Sequence, residues 1–364
     1  MLLAMQNSSV NRRTALRAGA LAAVALGAGA GAAHVTGPAA GSPTGRSAAG
    51  RIDTHHHAVP PAMRAWAVEH GLLPPRGGPR WGQWDLNKTL ETMDANRIAL
   101  GVASAPAPSE VFHDKSVAAA GARVFNESLA DLVRDRPTRF GFFAYLPLLH
   151  VDVALREAEY ALDELGADGV LMMNTAGGRY LGDKVFDPLF EELNRRRAVI
   201  MTHPDALPED PEPIPGVENY IADFMYDTTR CALSLIASGT LDRYPRISVI
   251  LSHGGGFLPY IAARVERAGR RGEGPDPDAF RRALKRFYYD TAMPVSPYAS
   301  PTLLGAVGAE RVLYGTDWPQ VEAHEVAHAR RAFDRDPAIS PSARAAIDRA
   351  NALRLLPTVA ARLR

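Results

Sequence analysis

Four histidines and one aspartate in this chain have the types and spacing of a metal centre. His55 and His57 stand at i and i+2 in the run Asp53-Thr54-His55-His56-His57, so in an extended segment both side chains leave the same face. His56 leaves the opposite face, where a packed or hydrogen-bonded histidine is the plainer reading. His203 closes the run Met201-Thr202-His203-Pro204, and His253 closes Leu251-Ser252-His253-Gly254-Gly255-Gly256. Asp317 closes Tyr314-Gly315-Thr316-Asp317-Trp318-Pro319. A lone His-x-His often means two core histidines. Four histidines at such positions, in a chain with 11 among 364 residues, form a stronger set. Imidazole and carboxylate donors suit zinc, manganese or iron, and an incomplete first coordination shell leaves positions for water and substrate. We therefore read His55, His57, His203 and Asp317 as ligands of a divalent transition metal, zinc first and manganese as the alternative.

These groups converge only if their runs are strands whose ends lie together. Eight strands are expected, at Arg51–His57, Ala99–Ala105, Phe140–Pro147, Gly169–Asn174, Ala198–His203, Ile247–His253, Arg286–Ala292 and Arg311–Asp317. Most are apolar without strict alternation, as in parallel strands covered on both faces. Helix-period stretches separate them. Leu155, Ala158, Leu162 and Leu165 step by three and four before Gly166, Leu189 and Leu193 precede the polar Asn194–Arg197 tail, and Leu303, Leu304 and Val307 mark a third. Repeated strand–helix alternation predicts an α/β fold, a (β/α)8 TIM barrel, over an open doubly wound sheet. No Gly-x-Gly-x-x-Gly follows a strand. All five candidate groups then sit at strand C-termini, the catalytic face of such a barrel. Residues 58–84, with Trp66, Trp81 and Trp84, and residues 204–225, with five prolines, read as long loops over that face.

Composition excludes several other functions. Lys and Arg number 41 against 40 Asp and Glu, a net charge of +1, so no cationic surplus exists to displace counterions from nucleic acid. The basic runs Arg195–Arg197 and Arg281–Arg286 read as solvated helix faces. Hydrophobic residues at 46% and charged residues at 22% are globular proportions. Cys231 is the single cysteine, which rules out an intramolecular disulfide and a thiolate metal cluster. Residues 1–33 read as a twin-arginine export signal: Asn11-Arg12-Arg13-Thr14-Ala15-Leu16-Arg17 precedes an uncharged run from Ala18 to Ala33. That run is too short and too rich in Ala and Gly for a stable membrane anchor. Residues 34–50 read as a flexible linker, and 51–364 as the barrel with C-terminal helices. The expected destination is the periplasm or the exterior.

The motifs resemble the amidohydrolase-related decarboxylases, the group of the aminocarboxymuconate-semialdehyde, γ-resorcylate and 5-carboxyvanillate enzymes. The closest resemblance is to 6-methylsalicylate decarboxylase-like proteins, over Ile52 to Pro61, Phe140 to Pro147, Gly177 to Asp183 and Tyr226-Asp227-Thr228-Thr229-Arg230. The resemblance implies a metal-dependent (β/α)8 barrel assembled as a homodimer or higher homo-oligomer. It also implies His55, His57, His203 and Asp317 as ligands, with His253 hydrogen-bonded to a metal-bound water. Some members have Glu where this chain has His55. Binuclear amidohydrolases place a carboxylated lysine at the end of the fourth strand, which here reads Leu171-Met172-Met173-Asn174. A single metal follows, and with it decarboxylation of a small aromatic carboxylate of ortho-hydroxybenzoate type. A mononuclear hydrolase of an amide, ester or lactone is the alternative, and an exported metal-binding protein without turnover a third reading.

For decarboxylation, protonating the ring carbon first avoids an aryl carbanion, with Asp317 as proton donor and His253 tuning it. Arg230 and Arg264 are candidates to hold the substrate carboxylate, since a planar guanidinium suits bidentate contact. A surface salt bridge is an equal reading for each. Arg264 lies 11 residues after His253, and the resemblance implies that it reaches a neighbouring subunit's site. Asn174, Tyr180 and Trp318 either line the pocket or form an apolar rim.

Overall fold

Every residue of Arg51–His57 is buried, polar ones included, as expected of a parallel strand covered on both sides. It opens a computed structural model that describes residues 50–108, 112–205, 207, 212, 214–292 and 295–364. The expected export signal, and all of the expected linker except Gly50, lie outside the described residues. The strands are β1 (Arg51–His57), β2 (Ile98–Ser104), β3 (Phe140–Tyr145), β4 (Gly169–Met173), β5 (Thr175–Ala176), β6 (Arg179–Tyr180), β7 (Val199–His203), β8 (Ser248–Leu251), β9 (Tyr288–Asp290) and β10 (Val312–Leu313). Eight of them form one parallel sheet in the order β1-β2-β3-β4-β7-β8-β9-β10, and β5 with β6 makes a separate antiparallel hairpin. The sheet closes on itself where Thr54 donates to the carbonyl of Tyr314 (2.9 Å), Asp317 to that of His55 (2.9 Å), and His57 to that of Trp318 (2.6 Å). This is the expected (β/α)8 barrel.

All eight expected barrel strands form. The last is regular only over Val312–Leu313. Beyond it the chain follows β1 by the closing bonds above, and Asp317 turns at φ +62°. The helix Val151–Asp163 forms, but its buried face is Val153, Ala154, Glu157, Ala158 and Ala161, while Leu155 and Leu162 are only partly buried. Small side chains let this helix lie close to the sheet. Buried Glu157 is accommodated because it accepts from Asn126 Nδ2 (3.0 Å) and Arg123 Nε (3.1 Å).

Residues 58–84 are not one long loop, because Pro61–Glu69 is helical, with proline at its first turn. Its Trp66 packs edge-on against Phe112 and Phe125 and stacks on His70. Trp81 and Trp84 pack against the core as well. The tryptophans thus hold helices together. At the opposite end of β1, Arg51 pairs with Asp334 and with Asp348 (2.7 Å), tying the barrel to the C-terminal helices. Arg362 does the same through buried Asp168 (2.7 Å). No helix among the described residues is long and apolar enough to cross a membrane.

Candidate metal centre

The pleat of β1 sends His55 and His57 to one side and His56 to the other, where its Nδ1 meets Asp53 Oδ2 at 3.0 Å. His203 ends β7, His253 follows β8, and Asp317 lies beyond β10. All five are buried. Asp317 Oδ1 lies 3.1 Å from His57 Nε2 and 3.3 Å from His55 Nε2, and its Oδ2 lies 3.7 Å from His253 Nε2. One donor atom each from His55, His203, His253 and Asp317 falls within 4.8 Å of all the others. His57 completes the cluster through Asp317 and through its ring, 5.0 Å from that of His203. His253 therefore stands as near the centre as the expected ligands do.

Each expected ligand histidine is held by its Nδ1. His55 Nδ1 is 2.7 Å from Asp290 Oδ2, His57 Nδ1 is 2.9 Å from Ser104 Oγ, and His203 Nδ1 is 2.7 Å from the Pro204 carbonyl. The Nε2 atoms of all three face inward and make no well-formed hydrogen bond. The same is true of both ring nitrogens of His253 and of Asp317 Oδ1. A buried polar atom without a partner costs about 1–3 kcal/mol, so six in one cluster describe a site built for something else. A divalent cation accepts imidazole lone pairs and carboxylate oxygens together and satisfies them. The donor set fits the metal that the sequence suggested.

The electrostatics agree. Burial opposes a charge on His55, yet Asp290 and Asp317 push its pKa up to about 10. Two buried carboxylates demand positive charge at this point. Burial and the neighbouring imidazoles hold His203 well below the usual histidine range. Burial also lowers His57, against the pull of Asp317. Their lone pairs stay available. Burial alone would raise the Asp317 carboxyl, but His55, His253 and His57 hold it well below the usual range.

Several positioning groups were not legible in the motifs. Asp290, at the end of β9, holds His55 with one oxygen and accepts the backbone N–H groups of His253 (2.9 Å) and Ala292 (3.0 Å) with the other. Its place at a strand terminus was the available signal. Asp53 accepts from His55 N (3.1 Å), Thr316 N (3.1 Å) and Thr316 Oγ1 (2.6 Å), binding β1 to the turn that carries Asp317. Both Asp317 and His253 sit at positive φ, +62° and +55°, a conformation that surrounding contacts must enforce for non-glycine residues. Gly315 allows the close approach: a Cβ there would lie 2.9 Å from His55 Cβ and 3.2 Å from Asp290 Cβ.

The secondary candidates divide. Asn174 is buried, donating Nδ2–H to Asp227 Oδ2 (2.8 Å) and its backbone N–H to the carbonyl of His203 (2.9 Å). Arg230 lies over the Tyr180 and Tyr226 rings and donates to Tyr226 Oη (2.9 Å). Trp318 is buried, and its indole N–H is committed to Thr89 Oγ1 (3.0 Å), so that donor is not free for a substrate. Arg264 is exposed on the helix Leu258–Arg270, apart from the buried histidines.

An eight-stranded barrel with a buried histidine–carboxylate cluster at its strand ends defines a metal-dependent amidohydrolase barrel. The chain belongs to the amidohydrolase family, which it matches over residues 52–358. Among its relatives, Decarboxylase yanB of Aspergillus niger is 36% identical over 323 residues, covering 84% of this chain and 87% of the relative. The 6-methylsalicylic acid decarboxylase of Penicillium expansum is 36% identical over 279 residues, covering 74% and 85%. A solved dihydroxybenzoic acid decarboxylase from Polaromonas sp. JS666, with bound manganese and the inhibitor 2-nitroresorcinol, superposes with a TM-score of 0.70 at 26% identity, covering 85% of this chain and 97% of that one.

Proposed function

We propose that this chain is a metal-dependent, non-oxidative decarboxylase of a small ortho-hydroxybenzoate. The carrying observation is the convergence of three orphaned Nε2 atoms and Asp317 at the C-terminal mouth of the barrel. His55, His57, His203 and Asp317 hold one divalent cation, zinc with manganese as the alternative. When bound, the cation supplies Lewis-acid stabilisation of anionic substrate oxygen. The decarboxylase relatives favour carbon dioxide loss over hydrolysis.

The two oxygens of Asp317 face different partners, Oδ1 toward His55 and His57 and Oδ2 toward His253. Held ionised at rest by the surrounding histidines, Asp317 takes a proton at Oδ2 from His253 for the step. It delivers that proton to the ring carbon bearing the carboxylate, and the electrons of the breaking C–C bond then restore the aromatic ring as carbon dioxide leaves. His253, with both ring nitrogens free of other partners, returns a proton to Asp317 from water.

The oligomer expected from the resemblance is supported by the helix Leu258–Arg270, where Tyr260 is 80% exposed and Arg264 follows one turn later. In a homodimer or higher homo-oligomer, Arg264 reaches the adjoining subunit's substrate carboxylate. Export by the twin-arginine route is part of the same proposal and rests on Arg12-Arg13 and the run after them.

The test is carbon dioxide release by metal-loaded enzyme from 6-methylsalicylate and other hydroxybenzoates. The product phenol should carry solvent deuterium at the vacated carbon in deuterium oxide, and a meta-hydroxybenzoate should not turn over. Hydrolysis of an ester or amide with no carbon dioxide from any hydroxybenzoate overturns the proposal in favour of the hydrolase.

A further inference from the structure

We infer that Thr229 is a positioning residue for His253, acting through the left-handed turn that carries this histidine. The inference rests on the role given to His253 above. Each expected ligand histidine has an Nδ1 partner that fixes its ring, whereas His253 makes no well-formed hydrogen bond through either ring nitrogen. Its ring is therefore aimed by the backbone that bears it and by the His55 and His203 rings, 4.9 and 5.5 Å away.

That backbone needs outside support. His253, Gly254, Gly255 and Gly256 all have positive φ, at +55°, +64°, +77° and +62°. Within the turn, Gly255 N–H donates to the Ser252 carbonyl (3.0 Å) and Gly256 N–H to the His253 carbonyl (3.1 Å). Left-handed φ is unfavourable for histidine, and glycine loses more backbone freedom on being fixed than any other residue. Contacts beyond the turn must hold its two ends. At the entrance, Asp290 Oδ1 accepts the His253 N–H (2.9 Å). At the exit, Thr229 Oγ1 accepts the Phe257 N–H (2.8 Å).

Thr229 is itself locked in place. It is buried on the helix Asp223–Ala237 and donates its O–H to the Met225 carbonyl one turn earlier (2.7 Å). With the hydrogen committed there, the hydroxyl presents only acceptor capacity to the turn. The turn lies directly on this spot: a Cβ on Gly256 would stand 2.2 Å from the Met225 carbonyl oxygen and 2.8 Å from Thr229 Oγ1. Thr229 thus sets where the turn rests on the helix, and through it where His253 meets Asp317 Oδ2, 3.7 Å from its Nε2. Removing the hydroxyl leaves the Phe257 N–H unpaired and frees the exit of the turn. The other three histidines keep their own Nδ1 partners, so the loss falls on His253 alone.

The experiment compares parent, Thr229→Val, Thr229→Ala and Thr229→Ser in three measurements. These are kcat and KM for carbon dioxide release from 6-methylsalicylate at saturating metal, zinc affinity by chelator competition, and the His253 ring signals of metal-free protein labelled with nitrogen-15 histidine. The signals are identified by their absence from His253→Ala. Small misplacements of a reacting group cost on the order of 100-fold in rate, so Thr229→Val and Thr229→Ala should lower kcat about 10- to 100-fold. Both should shift the His253 signals and keep the parent's KM and zinc affinity. Thr229→Ser retains the hydroxyl and should restore kcat and signals together. If Thr229→Val fails to fold, Thr229→Ala carries the test, because the space it opens admits a water to the Phe257 N–H. Unmoved His253 signals in a folded variant lacking the hydroxyl overturn the inference, whatever kcat or the melting temperature does. So does weakened zinc binding with parent-like kcat at saturating metal, which would place Thr229 in support of the ligands. Shifted signals with parent-like kcat uphold the positioning and refute the role given to His253. A parent that releases no carbon dioxide from any hydroxybenzoate refutes the proposed function, and the ring signals still decide whether Thr229 positions His253.

Discussion

Asp290→Asn tests the proposed centre with the smallest change of shape. Asp290 has two jobs: one oxygen faces His55 Nδ1 at 2.7 Å, and the other accepts two buried backbone N–H groups at 2.9 and 3.0 Å. An amide can do only one of them. If its NH2 faces the backbone, two buried N–H groups lose their acceptor, at about 1–3 kcal/mol each. Turning the carbonyl to the backbone keeps both of those bonds and points the NH2 at His55, the less costly arrangement. His55 must then accept at Nδ1 and carry its proton on Nε2, the atom aimed at Asp317. An imidazole protonated there cannot ligate a metal. We expect 10- to 100-fold weaker metal affinity, which is about 1.4–2.7 kcal/mol, and stability lowered by about 1–3 kcal/mol. Chelator competition measures the first and denaturant titration of metal-free protein the second. An Asp290→Asn variant with the parent's metal affinity would refute the argument, because no tautomer of His55 then serves both neighbours.

His203→Ala should lower metal occupancy in elemental analysis, whereas His253→Ala should keep one metal per chain and lose turnover. Equal metal loss in both would mean that His253 ligates, as its position among the four closest donors allows. Gly315→Ala should destabilise the protein by about 1–3 kcal/mol and reduce metal occupancy, since its Cβ would press on His55 and Asp290; parent-like melting and metal content would contradict that crowding. Arg12→Lys combined with Arg13→Lys should abolish export, scored by fractionation, and undiminished export would remove the twin-arginine reading.

What the chain determines locally was legible in it. Runs of apolar residues separated by helix-period segments specify strands and helices by side-chain pattern alone. The i, i+2 spacing of His55 and His57 specifies one face by the geometry of an extended backbone. These two facts, with histidines at strand ends, sufficed for the barrel and for five converging groups. Partners brought together from distant elements were not legible. Asp290 ends Tyr288-Tyr289-Asp290, which carries no motif, and its role exists only because barrel closure sets it beside a histidine 235 residues earlier. Asp227 and Asn174 meet across 53 residues. Trp318 follows Asp317 at positive φ, where strand alternation no longer says which way a side chain points, and its indole turns to Thr89. Burial of Ala158 rather than Leu155 likewise depends on how closely a helix docks. Local pattern follows from covalent geometry and hydrophobicity, whereas hydrogen-bond partners and the facing of a turn are settled only when the elements pack.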